Sequence, residues 1–501
     1  LIFLSSYRMI KLKQRFFMEI EKILEDNERF KLLILKHLEI EKGNYTHIAT
    51  IYQLTGLSKF KLDKLLLELT TELLAFPENP KIIVDNEGLV EVKNLNLNIV
   101  KQIRLNYFEN SITFQLLKDM LTTQTSLESF SNEYYLSRSQ LYVKRKKIKT
   151  FFNDFGIKIK KNLFIGDEMT IRNVLFSILY DVYNGMKFPF SEHERSLISI
   201  SIKHYEHWFN LKMTNVEKVK LRIFIGVAFC RVKRGNLIKT SLLNSQKIYQ
   251  EPAWQKYIER MNEFTQLKKD YSLNELDYVA IYIFLNMDDS FSSDLAANIE
   301  KLPFSEADNF TQEVSNQLFS NLKFNNSMKE KIYDFTRIFK KSNRNRFFFD
   351  FAVNSFKSDR SIRFFVETYP YITSLIINAI ETNTTKYIDK SNVCRNQLVC
   401  DCIFILFSLF PIETLERPVC VCVDFTFGKY YNEFIAKQIN GFKHFNLFIV
   451  DRLTADTDIY ISDCNIDHST ISQIIWKNPP TADDWEDFGN KIVEIKNKYH
   501  S

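Results

Sequence analysis

Leu136-Ser137-Arg138-Ser139-Gln140-Leu141-Tyr142-Val143-Lys144-Arg145-Lys146-Lys147-Ile148-Lys149-Thr150-Phe151-Phe152 decides how this chain is read. Leu141, Ile148 and Phe152 return at helical spacing and make one apolar face. Arg138, Ser139, Gln140, Tyr142, Lys144, Arg145, Lys146, Lys147 and Lys149 crowd the other faces, and Ser137 stands at a natural N-cap. Upstream, Leu127–Glu133 reads as a short helix and Tyr134-Tyr135 as a turn. A short helix, a tight turn and a capped second helix form a helix-turn-helix, whose second helix offers a polar face to the DNA major groove. Downstream, Ile157–Lys161 and Leu163–Ile165 around Asn162 predict a two-strand wing bearing Lys158, Lys160 and Lys161.

The motif occurs twice. Leu57-Ser58-Lys59-Phe60-Lys61-Leu62 lies 79 residues ahead of Leu136-Ser137-Arg138-Ser139-Gln140-Leu141. In this earlier copy Asn27–Glu41 is an amphipathic helix, His47–Gln53 a short helix, and Thr55-Gly56-Leu57 the turn. Ser58 is expected to cap a helix that buries Leu62, Leu65, Leu66 and Leu69. Lys81–Val84 and Leu89–Val92, flanking Asp85-Asn86-Glu87-Gly88, read as its wing. Ser58, Lys59, Lys61 and Lys64 are candidate DNA contacts, but Asp63 and Glu68 dilute them, so the second copy is the better reader. There, Arg138 and Gln140 are placed to reach base edges, while the later cations and the wing lysines suit phosphates.

Charge follows the same division. Of 67 Lys+Arg and 61 Asp+Glu, residues 1–166 hold 26 and 19, leaving the remainder slightly acidic. A basic amino-terminal module on a neutral body points to a polyanion held by one end. Glycine is scarce, 11 in 501 residues, which favours long helices over tight turns and phosphate-cradling loops. The longest apolar stretch, Cys402–Pro411, falls short of the ~20 residues of a membrane span. Leu1–Leu4 is too short for a signal-peptide core, and Met9 is a candidate start. Seven scattered cysteines make no disulfide framework and fit a reducing cytoplasm.

Residues 169–410 predict amphipathic helices at Thr170–Tyr183, His193–Phe209, Val216–Arg234, Asn274–Leu285, Ser361–Ile380 and Arg395–Phe410. Phe188-Pro189-Phe190-Ser191-Glu192 recurs 114 residues on as Leu302-Pro303-Phe304-Ser305-Glu306, each serine expected to cap a helix. The spacing implies two similar helical domains. Beyond them, Pro418–Val423, Asn446–Asp451 and Asp458–Ser462 read as strands, with helices at Gly428–Asn440 and Ala482–Lys498, an open α/β sheet. Cys400/Cys402 and Cys420/Cys422 lack the spacing of zinc ligands and read as buried thiols. No nucleophile–base set, Walker loop or metal-hydrolase motif occurs, so the expectation is a non-enzyme without cofactor or metal.

This order of units resembles the Mga/AtxA-type transcription regulators over essentially the whole chain. The resemblance implies a mainly α fold with winged helix-turn-helix domains at 10–100 and 101–168. It implies two tandem phosphotransferase-system regulation domains (PRDs) at 169–288 and 289–412, and an EIIB-like α/β domain at 416–501. It further implies double-stranded DNA as partner, a homodimer, contact with RNA polymerase, and control of virulence or carbohydrate-linked genes. Family PRDs are phosphorylated on histidine by an HPr-like phosphocarrier. His204 and His207, within Lys203-His204-Tyr205-Glu206-His207, match the acceptor's mid-helix position and share a face. The second PRD departs from the pattern, since no histidine lies between His207 and His444. In the tail Asp424 stands where a working EIIB carries its phosphocysteine, with Cys422 two residues early, so an interaction role is expected rather than phosphotransfer. An RNA-binding antiterminator and a phosphotransferase component are the alternatives.

Overall fold

Sparse glycine and long 3.6-residue apolar periodicity produce a mainly helical chain, with three small sheets among the described residues. The computed structural model describes residues 20–41, 46–239, 269–287, 304–322, 328–349, 359–387, 395–466 and 471–499, with isolated positions at 252, 255, 256, 259 and 300. These fall into two compact units, one within Leu1–Pro303 and Phe348–Phe356, the other within Phe304–Phe347 and Lys357–Ser501.

The first unit begins with a 3-10 turn at Ile20–Ile23 and α1 (Asp26–Ile40), then β1 (Thr46–His47), α2 (Ile48–Thr55) and α3 (Lys59–Leu73). β2 (Lys81–Val84) and β3 (Leu89–Lys93) form the wing, and β1 joins β3 as an antiparallel third strand. α4 (Leu97–Asn110) and α5 (Ile112–Leu121) lead to α6 (Leu127–Glu133), α7 (Arg138–Asn153) and a second wing, β4 (Lys158–Lys160) with β5 (Leu163–Ile165). α8 (Glu168–Tyr183), α9 (Glu192–Phe209), α10 (Asn215–Lys233) and α11 (Lys269–Asn286) complete it.

Three buried arginines hold this unit together. Arg104 on α4 donates from Nε to Glu21 at 2.8 Å, from Nη1 to the Asp181 carbonyl at 2.8 Å, and from Nη2 to the Asp181 carboxylate. Burial opposes the Arg104 charge, but Asp181 and Glu21 outweigh it and hold the guanidinium fully ionised. Further along α8, Arg172 pairs with Glu168 and Glu275, and Arg231 from α10 meets Glu168 at 2.7 Å. Removing one partner of such a network leaves uncompensated buried charge, typically costing about 3–5 kcal/mol.

In the second unit α12 (Ser305–Asn321), α13 (Lys329–Phe349, all but its last two residues), α14 (Asp359–Thr368), α15 (Pro370–Tyr387) and α16 (Arg395–Leu409) precede an α/β tail. The tail comprises β6 (Val419–Val423), α17 (Lys429–Asn440), β7 (Leu447–Val450), β8 (Ile459–Ser462), β9 (Ser472–Ile475) and α18 (Ala482–Lys498). Its four strands are all parallel, in the order β7-β6-β8-β9. Val419, Val421 and Val423 pack against Ile435 and Ile439 of α17 and Phe488 and Ile492 of α18.

Several local expectations are corrected. The single helix expected at Ser361–Ile380 is two, because Pro370 has no N–H to continue the first and suits the first turn of the next. Ser58 occupies the N-cap of α3 without a side-chain capping bond. Ser191 caps α9, whereas Phe304 takes the cap position of α12 and Ser305 lies inside the helix. Strands β1 and β9 join sheets that the alternation pattern did not reveal. Cys400, Cys402, Cys420 and Cys422, by contrast, are buried as expected.

Glu416, between α16 and β6, accepts the Ile372 N–H at 2.9 Å in the first turn of α15. Lys496 of α18 donates to the Thr368 carbonyl at 2.8 Å. Burial pushes the Glu416 carboxyl up to about 7 and pulls the Lys496 ammonium down to about 8.

Two outcomes follow from these buried charges. Arg104→Ala is expected to lower unfolding stability by about 3–5 kcal/mol in a denaturant titration. For Lys496, the folded state sheds its proton more readily than the unfolded chain, so its stabilising share is complete above pH 10.5 and lost as pH falls through about 8. The thermal midpoint of Lys496→Met relative to wild type should therefore climb as pH is lowered across that window; a pH-independent difference would contradict the assignment.

Candidate nucleic-acid interface

Helix α7 stands on a capping box. Ser137 Oγ accepts the Gln140 N–H at 3.2 Å, and Gln140 Oε1 accepts the Ser137 N–H at 2.8 Å. That bond has a chemical consequence. Bidentate reading of adenine by an amide uses both its oxygen and its nitrogen, and here the Ser137 N–H already occupies one of the two lone pairs of that oxygen. Ser139 Oγ lies 3.0 Å from Ser137 Oγ, and both are exposed.

The basic run divides by face. Leu141, Ile148, Phe151 and Phe152 are buried. Lys144 Nζ reaches Glu25 Oε1 at 2.8 Å, and Lys147 Nζ reaches the Leu24 carbonyl at 2.9 Å and Glu25 at 3.4 Å. Their side chains are only 17% and 26% exposed. Glu25, beside burial that works the other way, is held below the usual carboxylate range by these two ammoniums. Arg145 is half-buried. Arg138, Tyr142 and Lys146, spaced by one helical turn, and Lys149 remain exposed, as do Lys158, Lys160 and Lys161 on the wing. On that wing Ile159 and Phe164 point inward, so strand alternation turns Lys158 and Lys160 to solvent.

The first copy presents a different surface. Ser58, Lys59 and Lys64 are exposed, but Lys64 sits 4.0 Å from Glu68 and Lys61 lies over the Phe30 ring. Phe60 (82%) and Leu67 (70%), seven residues apart, form an exposed apolar stripe along the same helix. Its wing turn carries Asp85 and Glu87, where the second copy has Lys161 and Asn162.

The histidines lie on α9, with His204 half-buried and His207 exposed. Between them Glu206 pairs with Lys218 at 3.0 Å, while Tyr205 and Phe209 face the core. In the tail, the loop after β6 presents its donors to a carboxylate: Asp463 accepts the Thr426 N–H at 2.9 Å and its hydroxyl, and Asn478 at 2.6 Å. Those Thr426 bonds hold Asp463 below the usual range. Asp424 takes a hydrogen bond from Tyr460 at 3.2 Å. Burial first, and the Asp424 charge second, push the Cys422 thiol up to about 11. Glu25 and Asp463 escaped the sequence reading, because Glu25 meets Lys144 across 119 residues and Asp463 meets Thr426 across 37, with no motif to announce either.

The Mga helix-turn-helix domain model matches residues 98–180, from α4 through α7 and its wing into α8. Over those residues the chain resembles the helix-turn-helix domain of Mga-type regulators. No curated protein matches it. The matched domain is that of DNA-binding regulators, and it includes α4, α5 and most of α8 alongside the motif read from sequence. No described helix of this chain is long and apolar enough to cross a membrane.

The division of cations predicts a division of effects. Alanine at Lys146, Lys149, Lys158, Lys160 or Lys161 should flatten the dependence of log affinity on log salt by about 0.9 per charge removed. Alanine at both Lys144 and Lys147 should leave that slope nearly unchanged and lower stability by under about 1 kcal/mol. A slope reduced by nearly two in the double variant would place those ammoniums on DNA instead.

Proposed function

We propose that this chain is a cytoplasmic transcription regulator that grips duplex DNA through α7 and its wing. The observation that carries this reading is the exposed set of Arg138, Tyr142, Lys146 and Lys149 with Lys158, Lys160 and Lys161, on a domain matched by the Mga family. Arg138, at the helix start, reads a base edge; the other cations take phosphates. The first copy, with its apolar stripe and acidic wing turn, serves mainly as a protein-facing support.

The two helical regions after the DNA-binding part act as PRDs, and an HPr-like phosphocarrier modifies His204 or His207 of the first. A phosphate there adds about −1.5 to −2 charge to a helix whose other face is packed. The tail acts as an EIIB-like interaction domain that supports a homodimer and contact with RNA polymerase. Asp463 on the loop donors, and a Cys422 thiol kept protonated, favour that role over phosphotransfer.

Fluorescence anisotropy of the full chain tests the DNA reading. Duplex DNA should bind with an affinity that falls steeply with salt, well ahead of hairpin RNA; the reverse order would favour an antiterminator. Incubation with a phosphorylated phosphocarrier should label the chain, and the label should vanish in a His204→Ala/His207→Ala double variant. Persistence of label in that variant would remove the first PRD's proposed role.

A further inference from the structure

The turn that aims α7 holds an unusual residue. Tyr135 has φ +52°, in the left-handed region, and its side chain is 95% exposed. The 79-residue repeat sets it opposite Gly56, which has φ +66° in the turn of the first copy. Glycine is the residue that adopts this conformation without steric cost. Of the nine non-glycine residues with positive φ among the described residues, six are asparagine, the side chain that tolerates it best. Tyr135 is the one aromatic among them. The second copy thus keeps a bulky ring where the local geometry favours glycine or asparagine, and gains no packing from it. A strained residue that contributes nothing to the core is a pointer to function.

We infer that Tyr135 is a DNA-backbone contact, its phenol hydroxyl donating to a phosphate oxygen beside the groove that α7 enters, with the ring lying against the adjacent sugar. The position fits. Tyr135 directly precedes the N-terminal residues that reach base edges, and tyrosine is among the side chains that bond phosphates without reading sequence. Lys161 repeats the pattern at the wing tip, an exposed cation with φ +46°. Two of the three non-asparagine residues held in this conformation therefore stand on the surface assigned to DNA. Because the phenol is neutral, its contact releases no counterion and adds no salt dependence. This inference rests on the DNA reading above and assigns it a further residue.

Tyr135→Phe and Tyr135→Asn in the full chain test it by anisotropy across a salt series, on several duplex sequences, with thermal melting alongside. The phenylalanine variant should bind roughly three- to tenfold more weakly on every duplex, with an unchanged salt slope. The asparagine variant should bind more weakly still, yet melt no lower than wild type, since asparagine suits the turn. If both variants bind as wild type does, the inference falls while the DNA reading stands. If Tyr135→Asn melts lower in step with its loss of binding, the ring is structural and the inference falls again. A wild-type chain that binds no duplex overturns the DNA reading and this contact together.

Discussion

Buried charge on α8 is the constraint on which the first unit depends. Asp181 is bound by Arg104, while Glu168 and Arg172 engage Arg231 and Glu275. One helix thereby fastens the 3-10 turn, α4, α10 and α11. A guanidinium excluded from water is tolerable only when its donors are satisfied, and that requirement fixes the rotation of α8 more tightly than apolar packing would. The family match runs into α8 and includes Arg104, Glu168 and Arg172, so the DNA-binding domain contains its own anchor to the helices that follow.

That anchoring bears on how the cations are deployed. A run such as Lys144–Lys147 looks uniform when written as sequence, yet a helix turns successive side chains through about 100° each. Lys144 and Lys147 fall toward Leu24 and Glu25, where they steady α7 against the chain entering the domain, and Lys146 falls toward solvent. The same sequence stretch therefore serves folding on one side and leaves an exposed cation on the other. The first copy lacks this separation, since Lys61 lies over Phe30 and Lys64 is near Glu68.

Much of this was legible beforehand. Both helix-turn-helix units carry strong local signals: apolar residues at helical spacing, a tight turn, and a wing alternating with period two. What stayed hidden depends on distant partners or on short, weakly patterned segments. Nothing near Lys144 announces Glu25, 119 residues away. Thr46–His47 is too short to show alternation, and Ser472–Ile475 mixes polar and apolar residues. Pro370 was visible, but helical periodicity on both sides masked the break it makes. Serine at a helix start proved an uneven guide, because Ser137 and Ser191 complete capping boxes while Ser58 and Ser305 do not cap.

In the second unit, the segment joining helices to sheet is woven into both. Glu416 closes the exposed amides at the start of α15, and Lys496, near the end of the final helix, holds the carbonyl of Thr368. Excising the sheet would strip α15 of its terminal acceptor and open a hydrated wound beside Tyr369, where the Lys496 ammonium now lies over the ring. Helices and sheet of this unit are thus one cooperative body, and dissection at residue 416 would yield fragments that melt rather than modules that work.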